Sequence, residues 1–180
     1  MPSGKNPKHD KDQCLLFGDC GSRKTSNSII KRRSSNRSRT DSAVMYCDGA
    51  SSGNPGNAGI GVVIYLPGKE GPEGENAEIN ISGYIGIATN NVAEYSALIA
   101  GLEKAVSLGI KKLEVFLDSE LLVRQINGIY KVKNKKLQSL WMKVMNILKE
   151  FDTYKVSHVR RELNKEADAL AREGVKKGLK

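Results

Sequence analysis

The sequence predicts an α/β fold: a mixed five-stranded sheet, three antiparallel strands plus two parallel, with helices on both faces. Three observations predict it. Three apolar or alternating runs of strand length follow one another across short turns, as in an antiparallel meander. The apolar period then lengthens to that of a helix. Two further strand-like runs are each reached through helical sequence, and a helical crossover delivers a strand parallel to its neighbour.

The first strand covers 43–47 and delivers a carboxylate, Asp48, at its end. A small-residue loop follows, Gly49 to Gly56, whose glycines let another backbone approach. The second strand covers 59–66, and 68–74 reads as a loop marked by Gly68, Pro72 and Gly74. The third strand covers 77–85, where Ile79, Ile81 and Gly83 alternate with Glu78, Asn80 and Ser82. Thr89, Asn90 and Asn91 form a cap cluster for a helix that runs to about Leu108, buries Ala97, Leu98, Leu102, Ala105 and Val106, and ends at Gly109. A fourth strand, 113–117, ends at Asp118. A short helix (121–126), a basic connector (131–136), an amphipathic helix (137–151), a fifth strand (154–159) and a last helix (164–177) complete the order.

Charge divides the chain in two. Residues 1–42 hold ten Lys/Arg and four Asp/Glu, a net of +6, which leaves +3 of the chain's +9 for residues 43–180. The first segment, low in complexity and rich in Lys, Arg, Ser and Asn, reads as a disordered basic tail, the second as the folded domain. A basic tail attracts phosphates without reading sequence, or is a solvated extension. Cys14 and Cys20, with His9, match no standard zinc spacing. Three cysteines make no disulfide framework, and a reducing cytoplasm is the expected compartment. No apolar run approaches the ~20 residues of a membrane span, and no secretory h-region is visible, so no membrane association is expected.

Four acids recur at similar places. Asp48 and Asp118 end strands that a parallel pairing would put side by side, at the carboxyl edge where open α/β sheets bind ligands. Glu94 falls in the first turn of the first helix and Asp168 in the first turns of the last. Each also has a structural explanation: a hairpin turn at Asp48, a capping box from Asn91 to Glu94, a helix cap at Asp118, a pair between Asp168 and Arg172. Four carboxylates at one edge repel unless neutralised. Mg²⁺ suits an all-oxygen set, and two such ions about 3.5–4 Å apart can promote phosphodiester hydrolysis.

The motifs resemble those of type 1 ribonuclease H. Tyr46 to Ser51 with Gly53-Asn54-Pro55-Gly56, Thr89-Asn90-Asn91 with Glu94, Leu117-Asp118-Ser119, and His158 through Ala171 occur in that family's order, and the match covers 43–175. The resemblance implies a ribonuclease H-like fold and an endonuclease that cuts the RNA strand of an RNA–DNA hybrid, leaving 5′-phosphate and 3′-hydroxyl ends. It implies two Mg²⁺ or Mn²⁺ ions held by Asp48, Glu94, Asp118 and Asp168. Asn54, Thr89, Asn90 and Asn91 fall where the family contacts the hybrid, and amides suit the 2′-hydroxyls of the wide minor groove. His158 falls where many members carry a histidine proposed to shuttle protons or assist product release. Arg161 touches phosphate or covers a strand end.

Two departures stand out. Glu120 replaces a frequent Gln, and Lys131, Lys133, Lys135 and Lys136 form only a short connector in place of the long basic protrusion of some bacterial members. The chain therefore resembles a prokaryotic branch without the protrusion, with hybrid affinity expected to draw on the tail. No obligate protein partner is evident. The alternatives are a catalytically silent nucleic-acid-binding domain of the same fold, or another nuclease of the superfold such as a resolvase or transposase core.

Overall fold

A computed structural model of the chain describes residues 41–70 and 76–179. Residues 1–40 of the expected tail, Cys14 and Cys20 among them, lie outside the described residues, while Ser42 already belongs to the first strand. The element order is β1 (Ser42–Ser51), β2 (Gly56–Glu70), β3 (Asn76–Ala88), α1 (Asn90–Ser107), β4 (Lys112–Leu117), α2 (Glu120–Ile126), α3 (Lys135–Leu148), β5 (Thr153–His158), a 3₁₀ turn (Arg161–Leu163) and α4 (Lys165–Lys177). The five strands form one sheet in the order β3-β2-β1-β4-β5. β1 and β3 pair antiparallel with β2, while β4 pairs parallel with both β1 and β5. Order and strand directions are those predicted.

β1 is the central strand. Ala43, Met45 and Cys47 point to the same face and are buried. They meet Leu98 and Leu102 of α1, with Leu122, Val144 and Leu148 of α2 and α3 in the same core. The opposite face is covered by α4. Gly59 and Gly61 of β2 make that fit, because a Cβ on either would strike the α4 backbone at Ala167 or Ala171. Helices therefore lie on both faces. Trp141 of α3 donates its indole N–H to the Gln125 carbonyl (3.2 Å), and Tyr95 donates to the Gln125 side chain (2.8 Å), which satisfies polar groups inside this layer.

The boundaries differ from expectation in physically simple ways. β2 continues to Glu70, into the first residues of the stretch 68–74 expected as a loop, with a register shift after Leu66 and Gly68 at φ +73°; the rest of that stretch, 71–74, lies outside the described residues. Past its last partner on β1 it forms a two-stranded ribbon with β3, where Pro67 and a bulge disturb no central ladder. α3 begins two residues early because Asn134 caps it, its Oδ1 accepting from the Lys136 and Leu137 amides. It stops at Leu148, while Phe151 stays buried beyond its end. Val106 is only partly buried. Among the described residues no helix is long and apolar enough to cross a membrane.

Candidate active site

The site grows from a fork in the sheet. The parallel β1–β4 ladder ends at the pair Cys47–Leu117. The next residue on each strand is an acid, Asp48 and Asp118, so the two emerge side by side. Asp48 does not end its strand as expected. β1 leaves β4 there but stays paired with β2, with Asp48 opposite Gly61, until Ser51 opposite Ala58.

Glu94 comes from α1. It sits in the second turn, not the first, because Thr89 is the cap, its Oγ1 accepting from the Val92 amide (3.4 Å), and the helix starts at Asn90. The expected capping box does not form; Asn90 Nδ2 donates instead to Glu94 Oε1 (2.9 Å). Gly49 sets the approach, since a Cβ there would collide with the Ala93 carbonyl carbon and the Glu94 nitrogen. The absent side chain lets α1 lie against β1 and puts Glu94 beside Asp48.

Asp168 comes from the first turns of α4, on the helix that Gly59 and Gly61 admit. Its Oδ2 accepts from Arg172 Nη2 (2.9 Å), the i, i+4 pair seen in the sequence, and its Oδ1 accepts from Arg161 Nη2 (3.0 Å). Asp118 is not the cap of α2; Ser119 is, with its Oγ accepting from the Leu122 amide. Asp118 Oδ1 instead accepts from Asn164 Nδ2 (3.2 Å).

Asp48, Glu94, Asp118 and Asp168 all line one cavity of about 520 Å³, together with Asn90, Ser119, Arg161, Arg172 and Lys176. The electrostatics follow. Asp48 is 8% exposed, and burial first, then the Asp118 charge, with smaller contributions from Asp168 and Glu94, lifts its carboxyl to about 7. The Gly49 amide, donating to Asp48 Oδ1 at 2.8 Å, works the other way. Burial and Asp118 also raise Glu94, opposed by hydrogen bonds from Ser119 and Asn90. Arg161 is raised by its bond to Asp168. Among the described residues, no three His, Cys, Asp or Glu side chains stand in an arrangement that could hold a metal ion as they are.

The remaining predicted residues divide. Asn90 and Arg161 share the carboxylate cavity. Asn54, Thr89 and Asn91 line a second cavity of about 670 Å³ across the start of α1, with Asn134 and Lys136. His158 ends β5, opposite Leu117 in the ladder, and is exposed and outside the lining of the carboxylate cavity. Sequence reasoning missed Ser119, Asn134, Lys136, Asn164, Arg172 and Lys176 as site residues. Ser and Asn are common cap residues, but nothing in the sequence says which cavity a cap faces.

Fold and site together define a ribonuclease H-like domain. A family model described as Reverse transcriptase-like matches residues 46–174. Ribonuclease HI of Halobacterium salinarum is 40% identical over 130 residues, covering 72% of this chain and 62% of that protein. Ribonuclease H of Chlorobium phaeobacteroides is 34% identical, with 94% of its length covered. Among solved structures, LC11-RNase H1 in complex with RNA/DNA hybrid is 42% identical with a TM-score of 0.67, covering 77% of this chain and 99% of that one. The chain belongs to the type 1 ribonuclease H family. It spans less than two thirds of the archaeal relative and 35% of a mycobacterial one, the bifunctional protein Rv2228c.

Proposed function

We propose that this protein is an endonuclease that hydrolyses the RNA strand of RNA–DNA hybrids. The observation that carries the reading is the delivery of four carboxylates, from β1, α1, the end of β4 and α4, into one cavity. Relatives named ribonuclease H, one of them solved with a hybrid bound, support it.

The residues fit divalent cations. The donors are oxygens, the preference of Mg²⁺ and Mn²⁺. Asp48 is held up to about 7 by burial and like charges, a state that a cation would relieve. Asp48, Glu94, Asp118 and Asp168 would hold the ions, two in number by family resemblance. Bound divalent cations supply Lewis acidity toward the scissile phosphate. The protein's own groups do the rest. Arg161, Arg172 and Lys176 put positive charge on the cavity wall, where a phosphate backbone lies. Asn54, Thr89 and Asn91 present amides and a hydroxyl that suit 2′-hydroxyls and sugar edges of a hybrid minor groove. His158, opposite Leu117 at the end of β5 and outside the cavity lining, would carry protons between the site and solvent. The products carry 5′-phosphate and 3′-hydroxyl ends.

A second reading, a silent binding domain of the same fold, draws on Asp168, whose two oxygens are already held by arginines. One experiment separates them. End-labelled RNA–DNA, DNA–DNA, RNA–RNA and single-ribonucleotide duplexes are incubated with wild type and Asp118→Asn, with and without Mg²⁺ or Mn²⁺. Metal-dependent cutting of the hybrid's RNA strand by wild type alone is expected. Hybrid binding without cutting under any divalent metal would leave the silent domain.

A further inference from the structure

We infer that Asn164 is a positioning residue of this site, fixing the Asp118 carboxylate against the main chain of β1. The inference rests on the hydrolytic reading above. Asn164 caps α4 and is 1% exposed. Asn is favoured at helix caps because its side-chain oxygen accepts from an amide of the first turn. Here that bond is not made. Instead Nδ2 donates to the Cys47 carbonyl (3.0 Å) and to Asp118 Oδ1 (3.2 Å).

The orientation is dictated by its partners. Turned over, the amide would aim its oxygen at a carbonyl and a carboxylate, two acceptors. The consequence is that Asn164 Oδ1 is buried with no donor among the described residues. A forgone cap and an orphaned buried oxygen both destabilise the fold. A side chain serving α4 alone would be turned the other way.

What the arrangement provides is a brace across three elements. Asn164 begins the helix that carries Asp168, grips the strand residue before Asp48, and holds one oxygen of Asp118. One carboxylate is thereby held directly by the amide, and the backbone next to a second and at the start of the helix bearing a third is anchored at the same residue. Groups that orient a metal-binding carboxylate through a hydrogen bond set both affinity and rate.

The test uses the full chain with Asn164→Ser and Asn164→Gln. Serine can cap α4 but is too short to reach Asp118, so it separates helix stability from carboxylate orientation. Four quantities are measured: thermal unfolding, Mn²⁺ affinity by calorimetry without substrate, and kcat and KM on a hybrid. Asn164→Ser is expected to melt within a few degrees of wild type. Its Mn²⁺ affinity and kcat should fall about 10- to 100-fold with KM nearly unchanged. Asn164→Gln, which keeps the amide donor, should recover part of both. Wild-type affinity and kcat in Asn164→Ser would overturn the inference. So would an Asn164→Ser that fails to fold, since the residue would then be structural. If wild type itself neither binds Mn²⁺ nor cuts the hybrid, the hydrolytic reading fails first.

Discussion

Replacing Asp48 by Asn should stabilise the metal-free protein, and the gain should depend on pH. Folding lifts the Asp48 carboxyl from an ordinary 3.8 to about 7, by burial first and Asp118 second. A value raised on folding means that the folded state favours the neutral form. The contribution is fully present below about 3.8 and is lost as pH rises through about 7. The difference is roughly three pH units at about 1.4 kcal/mol each, so ionising Asp48 costs the fold up to about 4 kcal/mol. At 8% exposure, solvent screens little of this. Asn has the same shape, carries no charge, and can still accept from the Gly49 amide. In urea unfolding with EDTA, Asp48→Asn should therefore gain about 2–4 kcal/mol at pH 8 and about nothing at pH 3.5. Added Mg²⁺ should narrow the gap at pH 8 by stabilising wild type more than the variant. A gain of equal size at both pH values would refute the electrostatic argument, and so would a loss at pH 8.

Other outcomes follow from the same geometry. Gly61→Ala places a methyl against the Ala167 carbonyl and the Ala171 amide, both backbone, so it should cost about 1–3 kcal/mol or more in urea unfolding and weaken Mn²⁺ binding as α4 and Asp168 are pushed away. Arg172→Gln removes an exposed partner of Asp168, so stability should move by less than about 1 kcal/mol while hybrid binding weakens and its salt dependence becomes shallower. Thr89→Ala should cost about 1 kcal/mol of stability through the lost α1 cap, and should raise KM for the hybrid more than it lowers kcat if the second cavity holds substrate. Truncation of residues 1–40 removes ten Lys/Arg; it should start after Thr40, because the Asp41 carbonyl accepts from the Lys111 and Lys112 amides. The plot of log binding constant against log salt should then flatten, and an unchanged slope would mean that the tail does not touch the duplex.

The element order and the pairing of the first strand with the fourth were legible because periodicity reports burial and a helical crossover forces a parallel neighbour. Strand ends were less so. Apolar alternation fades where β1 leaves β4, yet the β1–β2 ladder continues past Asp48 on small residues that carry no pattern. Glu94 was misplaced by a turn because the sequence offers three adjacent cap candidates, and only tertiary packing selects Thr89. The division of Asn54, Thr89 and Asn91 from Asn90 was invisible for a related reason. Adjacent helical residues point about 100° apart, so a contiguous motif serves two cavities. Asn164 was the hardest to read, since its identity suggests a cap and its hydrogen bonds serve two strands.

The fork in the sheet also explains why the four acids should not behave alike. Asp48 sits on the central strand, with β2 on one side and β4 ending on the other, and α1 seated on Gly49 shuts out water. It meets the combined charge of the other three under the least solvent. Asp168 faces the same cavity but keeps two arginines as counter-ions. Metal-free, the site is therefore polarised, with charge held off at Asp48 and already compensated at Asp168. A cation entering this cavity gains most by letting Asp48 ionise. Its apparent affinity should rise with pH up to about 7 and then level off. Calorimetric Mn²⁺ titrations across that range would show it, and an affinity flat from pH 5.5 to pH 8 would place the charge-sensitive ligand elsewhere.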